Sequence, residues 1–309
     1  MRVFRHLDNL PVFQNPVLTI GTFDGVHYGH QQIIQRVNQL AQQQNGESIL
    51  ITFHPHPRTV VSDTDDILLL SPPDEKFDLL RRCGINNVVV VPFTRAFSEQ
   101  TPLAYVEDFL VKNFTPKIVV IGYNHRFGKN REGNLELLIK MGKQWGFTVE
   151  EISKQEADQM SVSSTLIRKA LLTGDIETAQ KLLGHEYFVR GIVVKGNQLG
   201  SKIGFPTANI AIEDPCKLIP DNGVYAVKVH LRSQTYGGML NIGVRPTVDG
   251  QTKTIEVNIF DFSDNIYGEP IQIEFKSLIR REHKFASLDH LIQQLYTDKQ
   301  TVLTLLANN

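Results

Sequence analysis

Val17-Leu18-Thr19-Ile20-Gly21-Thr22-Phe23-Asp24-Gly25-Val26-His27-Tyr28-Gly29-His30 decides the architecture of the first half of the chain. A short apolar run ends in a glycine-bearing turn. Behind the turn, Ile33, Ile34, Val37, Leu40 and Ala41 recur at helical spacing. Strand, glycine turn and amphipathic helix make one βα unit, and the alternation continues downstream. Ile49-Leu50-Ile51-Thr52-Phe53, Val88–Val91 and Lys117–Ile121 read as further strands. Phe77, Leu79 and Leu80 fall on a helix that Gly84 ends. Thr101-Pro102 opens another, with threonine as N-cap and proline at the first helical position. Strands alternating with helices imply a doubly wound parallel sheet, with binding at the carboxyl ends of its strands.

Ser163 to Thr173 and Asp175 to Leu183 read as two short helices, the second capped by Asp175 and stopped by Gly184. The pattern then changes to strand after strand: Tyr187–Val194, Val224–Leu231, Thr254–Phe262 and Ile271–Phe275. Tyr225, Val227, Val229 and Leu231 alternate, as in an antiparallel barrel or sandwich. A last helix starts at Ser287, with Leu288, Leu291, Ile292, Leu295 and Tyr296 on one face. The expected division is 1–185 and 186–309, and 309 residues suit two domains. Hydrophobic residues at 41% and a net charge of −1 argue against disorder and show no basic excess for nucleic acid. Cys83 and Cys216 cannot build a disulfide framework or a four-thiolate zinc site. The N-terminus has no signal-peptide pattern and no run is long enough to span a membrane, so the expectation is a cytoplasmic protein.

His27 and His30 stand three apart at a helix entry, where free N–H groups and the dipole favour phosphate. Histidine N–H donors there suit charge building on a reacting phosphorus, and Gly29 lets backbone approach a ligand. The bland alternative is a glycine-rich turn with two solvent-facing histidines. A four-histidine metal site using His54 and His56 is disfavoured by the two prolines of that loop. In the second half no Walker P-loop occurs, since Gly196 to Lys202 has the wrong spacing and order. Gly200-Ser201-Lys202-Ile203-Gly204 can instead face phosphate through backbone N–H groups. Thr207 and Asn209, two apart on a strand, make a hard-oxygen pair for Mg²⁺. A carboxylate is needed as base for phosphorylating an alcohol, and the residues alone do not separate Glu256 from Glu274.

Phe23–His30, Thr52–Pro57 and Ser163-Ser164-Thr165-Leu166-Ile167-Arg168 together resemble the adenylylation domain of bacterial bifunctional riboflavin kinase/FAD synthetases. Gly122–Gly133 is similar too, but departs at Asn124-His125, where an acidic residue or Asn and then an aromatic are expected. Gly200–Ile210 resembles the riboflavin kinase motif, supported by 220–225, 241–247, 256–262 and 278–285, with Asn258 where the family often has histidine. The resemblance implies a Rossmann-like nucleotidyltransferase domain followed by a six-stranded antiparallel barrel. It implies two reactions, riboflavin to FMN and FMN to FAD, with ATP as co-substrate and Mg²⁺ as cofactor. It implies catalytic roles for His27, His30 and Glu256. Nucleotide contacts fall on Gly21, Phe23, Asp24, Gly29, Asn124, Ser163, Ser164, Thr165, Arg168, Gly200, Lys202 and Gly204. Flavin contacts fall on His56, Pro57, Arg126, Asn209 and Arg281, and metal contacts on Thr207 and Asn209. Partners are then small molecules, without nucleic acid or membrane, and the protein a monomer or weak homo-oligomer. The alternatives are a chain keeping one activity, a non-catalytic flavin carrier, or an RNA-binding module. The carrier leaves His27, His30 and Arg168 unexplained, and the balanced charge weighs against RNA.

Overall fold

The computed structural model describes residues 1–62, 67–152, 162–196, 199–247 and 250–307, with backbone alone at 199, 245–247 and 250–252. Residues 197–198 of the glycine-rich segment, and the side chains of Arg245, Pro246 and Thr247, therefore lie outside the description. Contacts divide the chain into two compact units, Met1–Ser164 and Thr165–Asn309.

The first unit is a six-stranded sheet of β1 (Arg2–Phe4), β2 (Val17–Ile20), β3 (Ser48–His54), β4 (Asn87–Pro92), β5 (Ile118–Gly122) and β6 (Thr148–Ile152). Their order is β1-β4-β3-β2-β5-β6 and every pairing is parallel. Every residue of β2 is buried, which is why this strand reads as a continuous apolar run rather than an alternation. Chain order runs outward from β2 through β3 to β4 on one side and to β5 and β6 on the other. The reversal between β2 and β5 makes the crevice beyond their carboxyl ends the natural binding position. The helix α1 (Tyr28–Gln43) follows β2 and buries Ile34, Val37, Leu40 and Ala41. The core joins Leu18, Ile51, Val89 and Val119 to Phe109 and Met141.

The expected elements fall close to their places. Gly84 takes a φ of +77° after the helix Pro73–Arg82. Thr101 Oγ1 accepts from the Ala104 N–H at 3.2 Å, as an N-cap should. The edge strands β1 and β6 were not expected. β1 has three residues, and β6 carries Glu150 and Glu151 in a strand that is largely solvated.

In the second unit, β7 (Phe188–Val194), β8 (Ala208–Ile212), β9 (Gly223–Leu231), β10 (Gln234–Thr247), β11 (Gly250–Ile259) and β12 (Pro270–Arg280) close into a barrel. Its order is β10-β11-β8-β7-β12-β9 and all pairings are antiparallel. Tyr225, Val227, Val229 and Leu231 are at most 1% exposed, so the alternation of β9 marks a fully buried face. The helices Ser164–Leu172 and Ile176–Leu183 belong to this unit. Gln180 Nε2 donates to the Phe275 carbonyl at 2.6 Å, and the Asp221 N–H to the Leu171 carbonyl at 3.0 Å.

The opposite face of β9 and β10 presents Val224, Ala226 and Met239, which pack with Val302 of the terminal helix Leu288–Ala307. That helix differs from expectation. Leu288 and Tyr296 are each 58% exposed, and the buried side runs through Asp298 and Val302. Pairing of Asp298 with Arg280 turns the helix to this face, a polar contact that apolar periodicity does not register.

Candidate functional site

At the β2–α1 turn of the first unit, Phe23 and Val26 adopt left-handed φ of +48° and +39°. Such values are uncommon for bulky residues and need outside support. The support is a set of buried polar contacts. The Asp24 carboxylate, 1% exposed, accepts from the Leu70 N–H at 3.1 Å and the Ser71 N–H at 3.0 Å. Ser71 Oγ accepts from the Gly25 N–H at 2.7 Å. The Thr22 carbonyl accepts from Lys76 Nζ at 2.9 Å and Thr52 Oγ1 at 3.1 Å. Ser164 Oγ donates to the Asp24 carbonyl at 3.1 Å.

The turn delivers the histidines together. His27 caps α1, its Nδ1 accepting from the His30 N–H at 3.3 Å. The two rings stack, with centroids 3.5 Å apart and planes 15° apart, and Phe23 lies 4.8 Å from the His30 ring. Burial, then His27 and then Lys76, hold the His30 pKa well below the ordinary imidazole value. His30 Nδ1 is buried with no hydrogen-bond partner among the described residues. Two imidazoles at a helix N-terminus beside the β2/β5 crevice are suited to donating to a phosphate.

Beyond β5, Gly122 leads to exposed Asn124 and to His125, whose ring stacks on Phe127 at 6.0 Å. His125 thus packs in the aromatic cluster of Phe97, Tyr105, Phe109 and Phe127. Burial lowers its pKa to about 4, with Arg131 adding to the effect. His56 caps the short helix Pro57–Val61, its Nδ1 accepting from the Arg58 N–H at 3.2 Å. Arg126 is exposed. Thr165 and Arg168 follow Ser164 on the helix Ser164–Leu172. A cleft of about 690 Å³ also opens in this unit, walled by Gln35, Asn38, Gln42, Gly46, Arg82 and Asn86. The cleft runs along α1 from Gln31, next to His30, to Gly46 and Asn86, which precede β3 and β4.

On the barrel, a pocket of about 310 Å³ opens on the outer face beside the terminal helix. One transverse row of paired residues crosses it: Asn209 on β8, Glu256 on β11, Asn241 on β10, Val224 on β9 and Arg280 on β12. Directly paired residues of antiparallel strands project to the same side, which brings Asn209, Glu256 and Asn241 into one band. Thr207 Oγ1 donates to Glu256 Oε2 at 3.3 Å. Asn258 Nδ2 donates to the Pro206 carbonyl at 2.7 Å, so the residue replacing the usual histidine pins the loop leading to Thr207. Gly200 closes that loop by accepting from the Phe205 N–H at 2.9 Å. A Cβ at Gly200 would press into the Phe205 carbonyl, and one at Gly196 into the Asn209 amide.

The choice between the two glutamates becomes geometric. Glu256 lines the pocket. Glu274 is instead paired with Lys276 at 2.8 Å and His230 at 3.1 Å. The strand β12 ends at Arg280, and this separates the adjacent arginines. Arg280 lines the pocket and pairs with Asp298 at 2.9 Å. Arg281 is exposed, 3.7 Å from Asp221, with Nη2 donating to the Thr173 carbonyl at 3.4 Å. Lys202 is exposed at the end of its helical turn, and Gly204 has a φ of +83°. Lys76 and Ser71 in the first site, and Glu282 in the second, were not singled out from sequence. The signal for Lys76 was a lysine beside Phe77, Leu79 and Leu80 on the buried side of its helix.

Together these sites define a two-unit protein with a nucleotide-type parallel sheet and a separate barrel pocket carrying a carboxylate. Residues 11–166 match the family model of FAD synthetase, and residues 183–306 that of riboflavin kinase. A bifunctional riboflavin kinase/FMN adenylyltransferase of Haemophilus influenzae is 39% identical over 97% of this chain and 98% of its own. Its namesakes in Listeria monocytogenes and Escherichia coli K12 are 40% and 37% identical over 93% and 97% of this chain, and 91% and 96% of their own. A crystal structure described as a macrolide-efflux protein from Streptococcus pneumoniae superposes with a TM-score of 0.86 at 31% identity, covering 97% of both chains. The chain belongs to the bifunctional riboflavin kinase/FMN adenylyltransferase family. Among the described residues no helix is long and apolar enough to cross a membrane.

Proposed function

We propose that the chain makes FAD from riboflavin in two ATP-dependent steps. On the barrel, riboflavin and ATP give FMN and ADP. At the histidine turn, FMN and ATP give FAD and pyrophosphate. The observation that carries this reading is that each half matches its own family model and holds a distinct site suited to that chemistry. The functional division at 185/186 is part of the proposal, supported by the riboflavin kinase match beginning at residue 183.

In the kinase step Glu256 takes the proton of the ribityl 5′-hydroxyl as its oxygen bonds to the γ-phosphorus of ATP. The bond from that phosphorus to the β-bridging oxygen breaks and ADP leaves. Thr207 and Asn209 fit a magnesium ion, because Gly196 and Gly200 leave their side chains uncrowded and both offer hard oxygens beside the Glu256 carboxylate. Bound there, the ion supplies neutralising charge for the ATP phosphate oxygens. In the second step an FMN phosphate oxygen attacks the α-phosphorus of ATP, and pyrophosphate leaves. The phosphate is already ionised and needs no base, so His27 and His30 act as donors to the α-phosphate oxygens.

Nucleotide roles for Gly21, Phe23, Asp24, Gly29, Asn124, Ser163, Ser164, Thr165 and Arg168, and for Gly200, Lys202 and Gly204 on the barrel, rest on the motifs. So do flavin roles for His56, Pro57, Arg126, Asn209 and Arg281. Cytoplasmic location, small-molecule partners only, and a monomer or weak homo-oligomer belong to the same proposal, in which the net charge of −1 speaks against a nucleic-acid partner. His30→Ala tests the division. FAD formation from FMN should be lost while riboflavin phosphorylation persists, and a folded variant still making FAD at the wild-type rate overturns it.

A further inference from the structure

We propose that Lys76 is a positioning residue for the adenylyl-transfer step, holding the histidine turn in place. The inference rests on the reading that this turn carries FAD formation. Lys76 is 8% exposed on the helix Pro73–Arg82, and its Nζ donates to the Thr22 carbonyl at 2.9 Å. Burying an ammonium is costly unless it is bonded. The Thr22 carbonyl and the Asp24 charge offset part of this cost, and burial still leaves the Lys76 pKa below its ordinary value.

Immediately after Thr22 the chain enters the segment where Phe23 and Val26 hold left-handed φ. A tether at Thr22 fixes where that segment begins, and the Asp24 and Ser71 contacts fix its middle. The far end is His27, the N-cap of α1, stacked on His30. Displacing the turn by an ångström would misaim both donors, an error that costs about 10²-fold in well-aligned transfer reactions.

The second effect is electrostatic. The groups reaching His30 are His27 on its own turn and Lys76 on the packed helix, with Asp24 facing Lys76. Burial and then His27 oppose protonation of His30 most, and the Lys76 cation adds to them. Neutral His30 remains a donor across the physiological range, and a proton gained there would add a second buried charge to the cluster.

The test uses Lys76→Met, which removes tether and charge, and Lys76→Gln, which keeps a donor for Thr22 but removes the charge. Adenylyl transfer from FMN and ATP is measured across pH, and riboflavin phosphorylation by the same molecules serves as control. K76M should lose about tenfold or more in kcat for FAD formation, and its acidic limb should move to higher pH. K76Q should move the limb with a smaller kcat loss, and Lys76→Arg should return the limb toward wild type. If K76M does not fold in the first unit, K76Q against K76R still reads the limb. Wild-type kcat and limb in both K76M and K76Q, or a limb that follows none of these charges, overturns the inference. If His30→Ala also leaves FAD formation intact, the reading of the site itself fails. If His30→Ala abolishes it while the lysine variants are silent, only the role of Lys76 is lost.

Discussion

Glu256→Gln is the most informative substitution in the barrel. The side chain lies between Asn209 and Asn241 in the transverse row and accepts from Thr207 Oγ1 at 3.3 Å. Glutamine has the same shape, and its carbonyl can still accept from Thr207, so the pocket wall and the strand pairing survive. What is lost is the proton acceptor. A general base contributes about 10²–10⁴-fold, equivalent to roughly 3–5 kcal/mol at 1.36 kcal/mol per decade. The kcat for riboflavin phosphorylation should fall by that factor with KM for riboflavin little changed. FAD formation from supplied FMN should stay at the wild-type rate. Glu274→Gln is the matched control. Glu274 pairs with Lys276 and His230 rather than lining the pocket, so its replacement is a stability change that leaves phosphorylation intact. The assay is initial-rate FMN formation resolved by chromatography. A Glu256→Gln kcat within about threefold of wild type would refute the assignment of the base.

Other outcomes follow from the same contacts. His125 has a folded pKa of about 4 against an ordinary 6.5. The unfolded chain therefore binds the extra proton first, and the first unit loses stability as pH falls from about 6.5 to about 4, by roughly 3 kcal/mol. His125→Phe should flatten that part of a stability-against-pH curve measured by denaturant titration, and an unchanged slope would contradict the burial. Excess chelator should stop both reactions and added Mg²⁺ should restore them, whereas turnover persisting in chelator would remove the metal from the account.

The sequence carried the strong signals well. Continuous apolar runs at β2, β3 and β4 revealed a parallel sheet, and alternation along β9 revealed the barrel wall. Edge strand β6 was hidden by Glu150 and Glu151. The long strand β10 was hidden by Gly237, Gly238, Gly243 and Pro246, which read as turn punctuation. In the structure Gly237 admits Leu306 of the terminal helix, where a Cβ would sit 2.9 Å from that side chain. A glycine chosen for close packing looks the same in sequence as one chosen for a turn. Residues 165–183 look in sequence like a continuation of the alternating first half, yet they belong with the barrel, where Gln180 bonds the β12 backbone and Gly174 lies against Leu278 and Tyr225.

The site shows the same division. Histidines three apart at a helix entry stood out in the sequence and stack in the structure, and Thr207, singled out with Asn209, donates to Glu256. Lys76 was not, because its partner is the carbonyl of Thr22, and backbone acceptors leave no mark in a sequence. The separation of Glu256 from Glu274 needed the strand register, and that of Arg280 from Arg281 needed the end of β12 at Arg280. Neither depends on the residue type.

A product time course from riboflavin, ATP and Mg²⁺ tests the central claim most directly. The account predicts FMN appearing first with ADP, then FAD after a lag with pyrophosphate released in equal amount. FMN accumulating with no FAD, or FAD forming without FMN as an intermediate, would contradict two successive reactions on one chain.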